Sequence, residues 1–246
     1  MFELKGKTAL ITGAGQGVGF GIAQALSQQG AAVVINDVCA ERAQQAADSI
    51  SADGGTAIAC AFDVTDHDQV TSSVQALPKT IDILVNNAGN AGDGQMEMIP
   101  FVEMDPQQWQ RFVNVNLFGV LNCTKAVLAT MYKQKWGRII TVSSDAGRVG
   151  LDINVSLYGA AKAGAAHFMR HLAVEAGPFG VTCNILSLGL MNNVPEEFAG
   201  PIIKGIPARR LGDPMDIGHA CVYLSSEEAS WTSGATLQIT GGKNPT

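Results

Sequence analysis

Seven short, almost uninterrupted apolar runs, separated by longer stretches of helical pattern, restrict what this chain can fold into more than any other feature. The runs fall at residues 8–12, 32–36, 56–61, 81–86, 138–143, 181–186 and 236–240. A strand wetted on one side alternates apolar and polar residues, whereas a run that is apolar throughout fits a parallel strand covered on both faces. The stretches between them, at 18–29, 41–51, 66–76, 106–133, 157–176 and 214–225, supply the helical crossovers that parallel pairing needs. Asp66, Asp105 and Asp213 stand where side-chain N-caps are expected, and Gly30, Gly54 and the Gly177-Pro178 pair where helices should stop. The alternation predicts one doubly wound α/β domain with a parallel sheet of about seven strands. One segment, 190–210, breaks the pattern with Pro195, Pro201, Pro207, Gly200 and Gly205, and predicts an irregular lid over whatever the sheet binds.

Composition narrows the function classes. Hydrophobic residues make up 46% of the 246 and charged residues 15%, enough to fill a core and too apolar for a disordered chain. Single α/β domains commonly reach this length, so residues 1–246 are read as one domain. The net charge of −6 comes with no Lys/Arg cluster, which argues against a nucleic-acid partner. Cys39, Cys60, Cys123, Cys183 and Cys221 are widely spaced and read as reduced thiols, not as a disulfide framework or zinc site. The first residues lead straight into a strand pattern without a leader, and no apolar run approaches the ~20 residues of a bilayer crossing. A cytoplasmic protein without a membrane partner is expected.

Thr12-Gly13-Ala14-Gly15-Gln16-Gly17-Val18-Gly19 follows the first run directly and opens the first helical stretch. Glycines there permit a sharp turn and let backbone N–H groups approach a pyrophosphate at the positive end of a helix. The spacing is wider than the common GxGxxG, but the strand–turn–helix placement supports a dinucleotide site. Asp37 follows the second run, 18 residues past Gly19. A carboxylate there can accept both ribose hydroxyls of the adenosine and repels a 2′-phosphate. With the neutral Gln16 in the turn, this favours NAD(H); Arg42, nearby, is the one group that dissents.

Tyr158 and Lys162 stand four residues apart near the start of the 157–176 stretch and share a helix face. An unperturbed tyrosine titrates near ~10, so proton exchange near neutrality requires a fall of about three units, or ~4 kcal/mol in favour of the phenolate. A neighbouring ammonium and the positive charge of an oxidised nicotinamide both act in that direction. Ser143 and Ser144 close the fifth run, at the carboxyl edge of the sheet where ligands bind. A serine, a tyrosine and a lysine are therefore expected to converge there.

Taken together, TGAGQGVG, Asp63-Val64, Asn86-Asn87-Ala88-Gly89, Asn116-Leu117-Phe118-Gly119, Ser144 and YGAAK resemble the motif set of the short-chain dehydrogenase/reductase family, in the family's order, from Lys7 to about Gly242. The second half (GRIITVSS, YGAAKAG, ARRLGDP) is similar to both the acyl-carrier-protein ketoreductase-like branch and the polyol or cyclic-alcohol dehydrogenase branch. The resemblance implies a Rossmann-type domain and an NAD(H)-dependent oxidoreductase that interconverts a secondary alcohol and a ketone. It implies that Tyr158 exchanges the proton with the substrate oxygen and that Ser144 hydrogen-bonds that oxygen. Lys162 would lower the tyrosine pKa and bind the nicotinamide ribose, and Asn116 would anchor a water joining Lys162 to solvent. Asp63 would take the adenine amino group, Val64 would pack on the ring, and Asn87, Ala88 and Gly89 would line the cofactor pocket beside Gly13, Gly15, Gln16, Gly17, Val18 and Gly19.

Two departures stand out. After the sixth run the family usually has Pro-Gly, with a threonine four residues beyond the glycine that helps fix the nicotinamide carboxamide; here the stretch reads Leu188-Gly189-Leu190-Met191-Asn192-Asn193. Gly189, Met191 and Asn193 are expected at the cofactor, with the Asn193 amide in place of the hydroxyl. The loop between Ser144 and Tyr158 is one residue longer than the family's usual spacing, which leaves Ser143 as a competitor for Ser144. The family also pairs its two long helices across a two-fold axis, which implies a homotetramer or homodimer.

His167 and His171 lie about 140° and 180° around the helix from Lys162, with no glutamate between them. They read as surface or subunit-contact residues, and no metal is expected. Specificity should reside in 90–102 and 190–210, whose apolar residues suggest a hydrophobic or cyclic alcohol, and a preference for NAD favours oxidation. The rival expectation is a catalytically silent NAD(H)-binding regulatory protein on the same fold, against which the complete Asn116, Ser144, Tyr158 and Lys162 set argues.

Overall fold

The computed structural model describes residues 1–89, 98–193 and 196–245. β1 (Thr8–Ile11) lies in mid-sheet, and the chain leaves it through α1 (Gly17–Gln28), β2 (Ala32–Ile35), α2 (Ala40–Ala52) and β3 (Thr56–Ala59). It returns through α3 (His67–Gln75) to β4 (Ile83–Asn86) on the other flank of β1. There follow α4 (Pro106–Val113), a π turn (Asn114–Phe118), α5 (Gly119–Gln134), β5 (Gly137–Ser144), α6 (Ser156–Ala176) and β6 (Val181–Leu188). Last come α7 (Glu196–Lys204), α8 (Pro214–Ser225) and β7 (Thr236–Ile239). The seven strands run parallel in the order β3-β2-β1-β4-β5-β6-β7, the doubly wound Rossmann-type sheet that the apolar runs predict. Strand order reverses between β1 and β4, and the crevice beyond their carboxyl ends is where such sheets bind ligands.

Successive strand residues point to opposite faces, so each of the inner strands β1, β2, β4, β5 and β6 is shared between two cores. Ala9, Ile11, Val33, Ile35, Ile83, Val85, Ile140 and Val142 pack under α1, α2 and α8. Leu10, Val34, Leu84, Ile139, Cys183 and Ile185 pack under α5 and α6, with Val70 of α3. Fully burying each of the Val, Leu and Ile side chains among them contributes roughly 1.5–3 kcal/mol, and both faces must be covered for the gain to be realised. Asp66, Asp105 and Asp213 cap their helices as expected, each accepting a hydrogen bond from a backbone N–H of the first turn, and Asp213 forms a capping box with Asp216.

α6 stops where the Gly177-Pro178 pair predicts, at Ala176 with Gly177 as its C-cap; in other places the structure departs from the expected elements. Strands β5 and β6 run longer, so Ser144 and Leu188 pair across the sheet. The single helix expected over 106–133 is interrupted by the π turn, which inserts a residue into its hydrogen-bond ladder. With that turn the helix Pro106–Gln134 is 29 residues long and, by length and composition alone, would reach across a bilayer. The expectation that no run is that long therefore does not hold. Val120, Cys123, Val127 and Met131 line the sheet-facing core, however, and a core helix passes the same test. Lastly, the irregular segment at 190–210 contains α7, which accommodates Pro201 in its interior. Proline there forfeits one backbone bond without ending the helix. Residues 90–97, including Asn90 and Met96 of the first specificity region, and 194–195 lie outside the described residues.

Candidate active site

The glycine turn is built onto the switch point by polar residues at the strand ends. Thr12 Oγ1 accepts from the Asn87 and Ala88 N–H groups, both at 3.0 Å, while Asn87 Nδ2 donates to the Thr12 and Gly13 carbonyls at 2.9 and 3.0 Å. Asn36 Oδ1 accepts from Gly13 N at 3.3 Å, and its amide donates to the Cys60 and Phe62 carbonyls. These bonds lock the ends of β1, β2 and β4 together. Gly13 and Gly17 adopt φ of 61° and 56°, which side chains resist. A Cβ on Gly13 would stand 3.0 Å from Ala88 Cα, and one on Gly15 2.6 Å from Asp37 Oδ2. Gly19 is equally confined, by the Gly13 carbonyl and the Asn87 amide. Gln16 is the extended N-cap of α1 with no side-chain bond to the helix, and Val18 lies in its first turn. The result is a backbone-walled cradle at a helix N-terminus, a space that added Cβ atoms would fill.

Asp37 closes one end of that cradle and is 4% exposed. Its Oδ2 accepts from Gly15 N at 3.2 Å, and its Oδ1 from Cys39 N at 3.0 Å and from Arg42 Nε and Nη2 at 3.1 and 2.7 Å. Arg42, the dissenting cation of the sequence, is thus held on Asp37. Asp63 folds into a local turn, accepting from Thr65 N and Oγ1 at 2.8 and 2.9 Å, with Val64 buried against Gly119.

The second half of the site gathers at the carboxyl ends of β4 and β5. A Cβ on Gly89 would stand 2.8 Å from Lys162 Nζ and 3.2 Å from Asn116 Oδ1, so these three residues meet at one point. Asn116 sits in the π turn, fully buried, its Nδ2 donating to the Phe112 carbonyl at 2.9 Å. Lys162 is buried in α6 and donates to the Val142 carbonyl at 2.9 Å, with its Nζ 5.8 Å from the centre of the Tyr158 ring. Ser144 hydrogen-bonds the Tyr158 phenol. Strand alternation separates the two serines. Ser143 is buried and reaches the Lys162 carbonyl at 3.5 Å, whereas Ser144 stands at the strand's end beside the phenol.

The protonation of this cluster differs from expectation. Burial pushes the Tyr158 phenol up, and the Ser144 hydrogen bond offsets only part of that rise. Burial also pulls the Lys162 ammonium down, to about 8. The protein alone therefore does not make the three-unit fall that neutral proton exchange requires.

Gly189, just past β6, packs tightly on Thr240 at the end of β7, and Met191 bridges to Gly212 and packs into the core. Asn193 lies exposed in a turn two residues beyond Met191. Thr12, Asn36 and the buried Asp145 are site-building residues that sequence reasoning missed. A polar residue ending an apolar run was the available signal for the first two.

This cradle and cluster define an oxidoreductase of the nicotinamide-dinucleotide class. The model of the short chain dehydrogenase family matches residues 7–196, and the chain belongs to that family: it interconverts an alcohol and a carbonyl compound. It is 35% identical over 250 residues to 7alpha-hydroxysteroid dehydrogenase of Escherichia coli K12, covering 98% of this chain and 95% of that one. It superposes with a TM-score of 0.94 at 32% identity on a 3-oxoacyl-[acyl-carrier protein] reductase from Brucella melitensis with bound NAD, covering 100% and 94% of the two chains. It superposes with a TM-score of 0.91 at 31% identity on a gluconate 5-dehydrogenase from Burkholderia cenocepacia in complex with NADP and tartrate, covering 98% and 96%. None of these relatives supports the catalytically silent alternative.

Proposed function

We propose that the protein is an NAD(H)-preferring dehydrogenase that oxidises a hydrophobic or cyclic secondary alcohol, with Tyr158 as its proton-transferring residue. One observation carries this reading: Ser144, Tyr158, Lys162, Asn116 and Gly89 meet at the carboxyl edge of the sheet, next to a cradle walled by Gly13, Gly15 and Asp37. The nicotinamide, when bound, supplies the hydride acceptor. Tyr158 takes the hydroxyl proton as general base, and Ser144 hydrogen-bonds the same oxygen and holds its developing charge. Lys162 supplies the ammonium that favours the phenolate and binds the nicotinamide ribose, while Asn116 anchors a water that joins Lys162 to solvent and carries the proton outward. Gly13, Gly15, Gly17 and Gly19 admit the pyrophosphate, with Gln16 and Val18 at its rim. Asp63 and Val64 hold the adenine, and Asn87, Ala88, Gly89, Gly189, Met191 and Asn193 line the nicotinamide side.

The NAD preference rests on Asp37. Its buried carboxylate already neutralises Arg42, which makes that guanidinium a poor counter-charge for a 2′-phosphate, while Oδ2 retains room for a ribose hydroxyl. Relatives bound to NAD and to NADP make this the finer point to test. Substrate access falls to the 190–210 lid. The helix Pro106–Gln134, with 39% of its apolar stretch buried, and Val174 of α6, 79% exposed, suit a homotetramer or homodimer. Five free thiols suit a cytoplasmic home. The experiment is titration with each dinucleotide, followed by a panel of secondary alcohols read by nicotinamide absorbance. Turnover with NAD⁺ on cyclic or hydrophobic members supports the reading; binding without turnover on any member contradicts it.

A further inference from the structure

We infer that residues 240–244, after β7, form a strut that fixes the Ser144 loop to the base of the lid, with Asn244 and Arg148 as positioning residues; the inference rests on the reading of Ser144 given above. The strut begins where β7 ends. Gly241 and Gly242 adopt left-handed φ of 62° and 84°, which turn the chain back across the carboxyl edge of the sheet. Asn244 follows with φ 51°, a region that asparagine tolerates better than most residues.

Asn244 is held there by bonds at both of its ends. Its Nδ2 donates to Asp145 Oδ2 at 3.2 Å, and its carbonyl accepts from Arg148 Nη2 at 2.6 Å. The same Arg148 nitrogen reaches Asp145 Oδ1 at 3.0 Å, so the three residues close a polar clasp. Asp145 is 4% exposed, and a buried carboxylate is tolerated only when its oxygens are satisfied, as they are here. Its carbonyl also accepts from Arg148 N and Val149 N, both at 2.9 Å. Asp145 is thus fixed through side chain and backbone, and it is the residue directly after Ser144. Any shift of the clasp moves the hydroxyl that bonds Tyr158.

The other side of the strut touches the lid. Gly241 accepts from Ala208 N at 2.9 Å, and a Cβ on Gly241 would stand 2.9 Å from Ile206 Cγ2. Gly242 lies as closely against Pro207, where an added Cβ would be 3.2 Å away. The proton transfer itself uses none of these groups. They tie the position of the lid base to that of Ser144.

The test compares Asn244→Gly, which keeps the left-handed backbone and removes the Nδ2 bond, with Ser144→Ala and the double variant. Cyclohexanol with NAD⁺ is the kinetic probe, and ¹³Cζ-tyrosine NMR is the structural one, since the chain has only 3 tyrosines. We expect Asn244→Gly to lower kcat about tenfold, as small misplacements of a catalytic group do, with NAD⁺ affinity unchanged within about twofold. We expect the Tyr158 Cζ shift to move in both single variants, and the double variant to lose no more than Ser144→Ala alone, because Asn244 acts through Ser144. If Ser144→Ala leaves both turnover and the Tyr158 signal unchanged, the reading of Ser144 fails and the strut with it. If Ser144→Ala acts but Asn244→Gly does not, or their losses multiply, the strut alone is overturned.

Discussion

Replacing Lys162 with methionine should make the cofactor-free protein more stable while destroying its activity. The Lys162 ammonium is enclosed by protein, 4% exposed, with the Val142 carbonyl at 2.9 Å as its hydrogen-bond acceptor. Burial lowers its pKa from 10.5 to about 8, so holding the charge in the folded state costs ~3 kcal/mol relative to the neutral amine. Methionine fills similar length without charge and forfeits one hydrogen bond, about 1 kcal/mol. The net gain near neutrality is ~2 kcal/mol, or roughly 4–8 °C in Tm for a domain of this size. Between about 8 and 10.5 the unfolded chain binds more protons at Lys162 than the folded one, so wild-type stability rises with pH across that window. The variant's advantage should therefore be full below the lower value and vanish towards the upper one. Burial also raises Cys123 and Cys183 to about 12, which lowers stability at alkaline pH. These contributions are common to both proteins and cancel in the difference. Denaturation of both proteins across the window, read as that difference, is the assay. A variant less stable than wild type at neutral pH, or an advantage that does not change with pH, would refute the reasoning.

Asp37→Ala should weaken NAD⁺ binding by about 10- to 100-fold, the range for lost bonds to a buried charge, and raise relative use of NADP⁺ by freeing Arg42. Dissociation constants for both dinucleotides check this, and an unchanged ratio removes Asp37 from the ribose site. Gly15→Ala should abolish dinucleotide binding while leaving the circular-dichroism spectrum intact, because the added methyl would lie 2.6 Å from Asp37 Oδ2. Wild-type affinity in that variant would contradict the placement of the cradle.

Much of the fold can be read from the apolar runs, since a strand buried on both faces has to be apolar throughout. Their ends are less legible. Ser144 and Leu188 belong to the sheet because they pair with each other, a fact neither run contains. The π turn at Asn114–Phe118 leaves no local mark, as NVNLF has neither proline nor glycine. α7 hides behind Pro201, whose breaker signal outweighs the helical tendency of its neighbours. At the site, residue types and spacing point to Tyr158, Lys162 and Asp37, but not to their electrostatic state. Spacing shows Arg42 near Asp37 without showing that the two pair, and it suggests an acidified tyrosine where burial alone does the reverse. The Asp145–Asn244 bond joins positions 99 apart, beyond any sequence pattern.

The central claim is that the Tyr158 hydroxyl moves the proton. Tyr158→Phe keeps the ring and its packing and removes only that hydroxyl. Turnover of a secondary alcohol with NAD⁺, measured beside NAD⁺ affinity in the same preparation, should fall by about 10² to 10⁴ with affinity retained. Wild-type turnover in the phenylalanine variant would contradict the account.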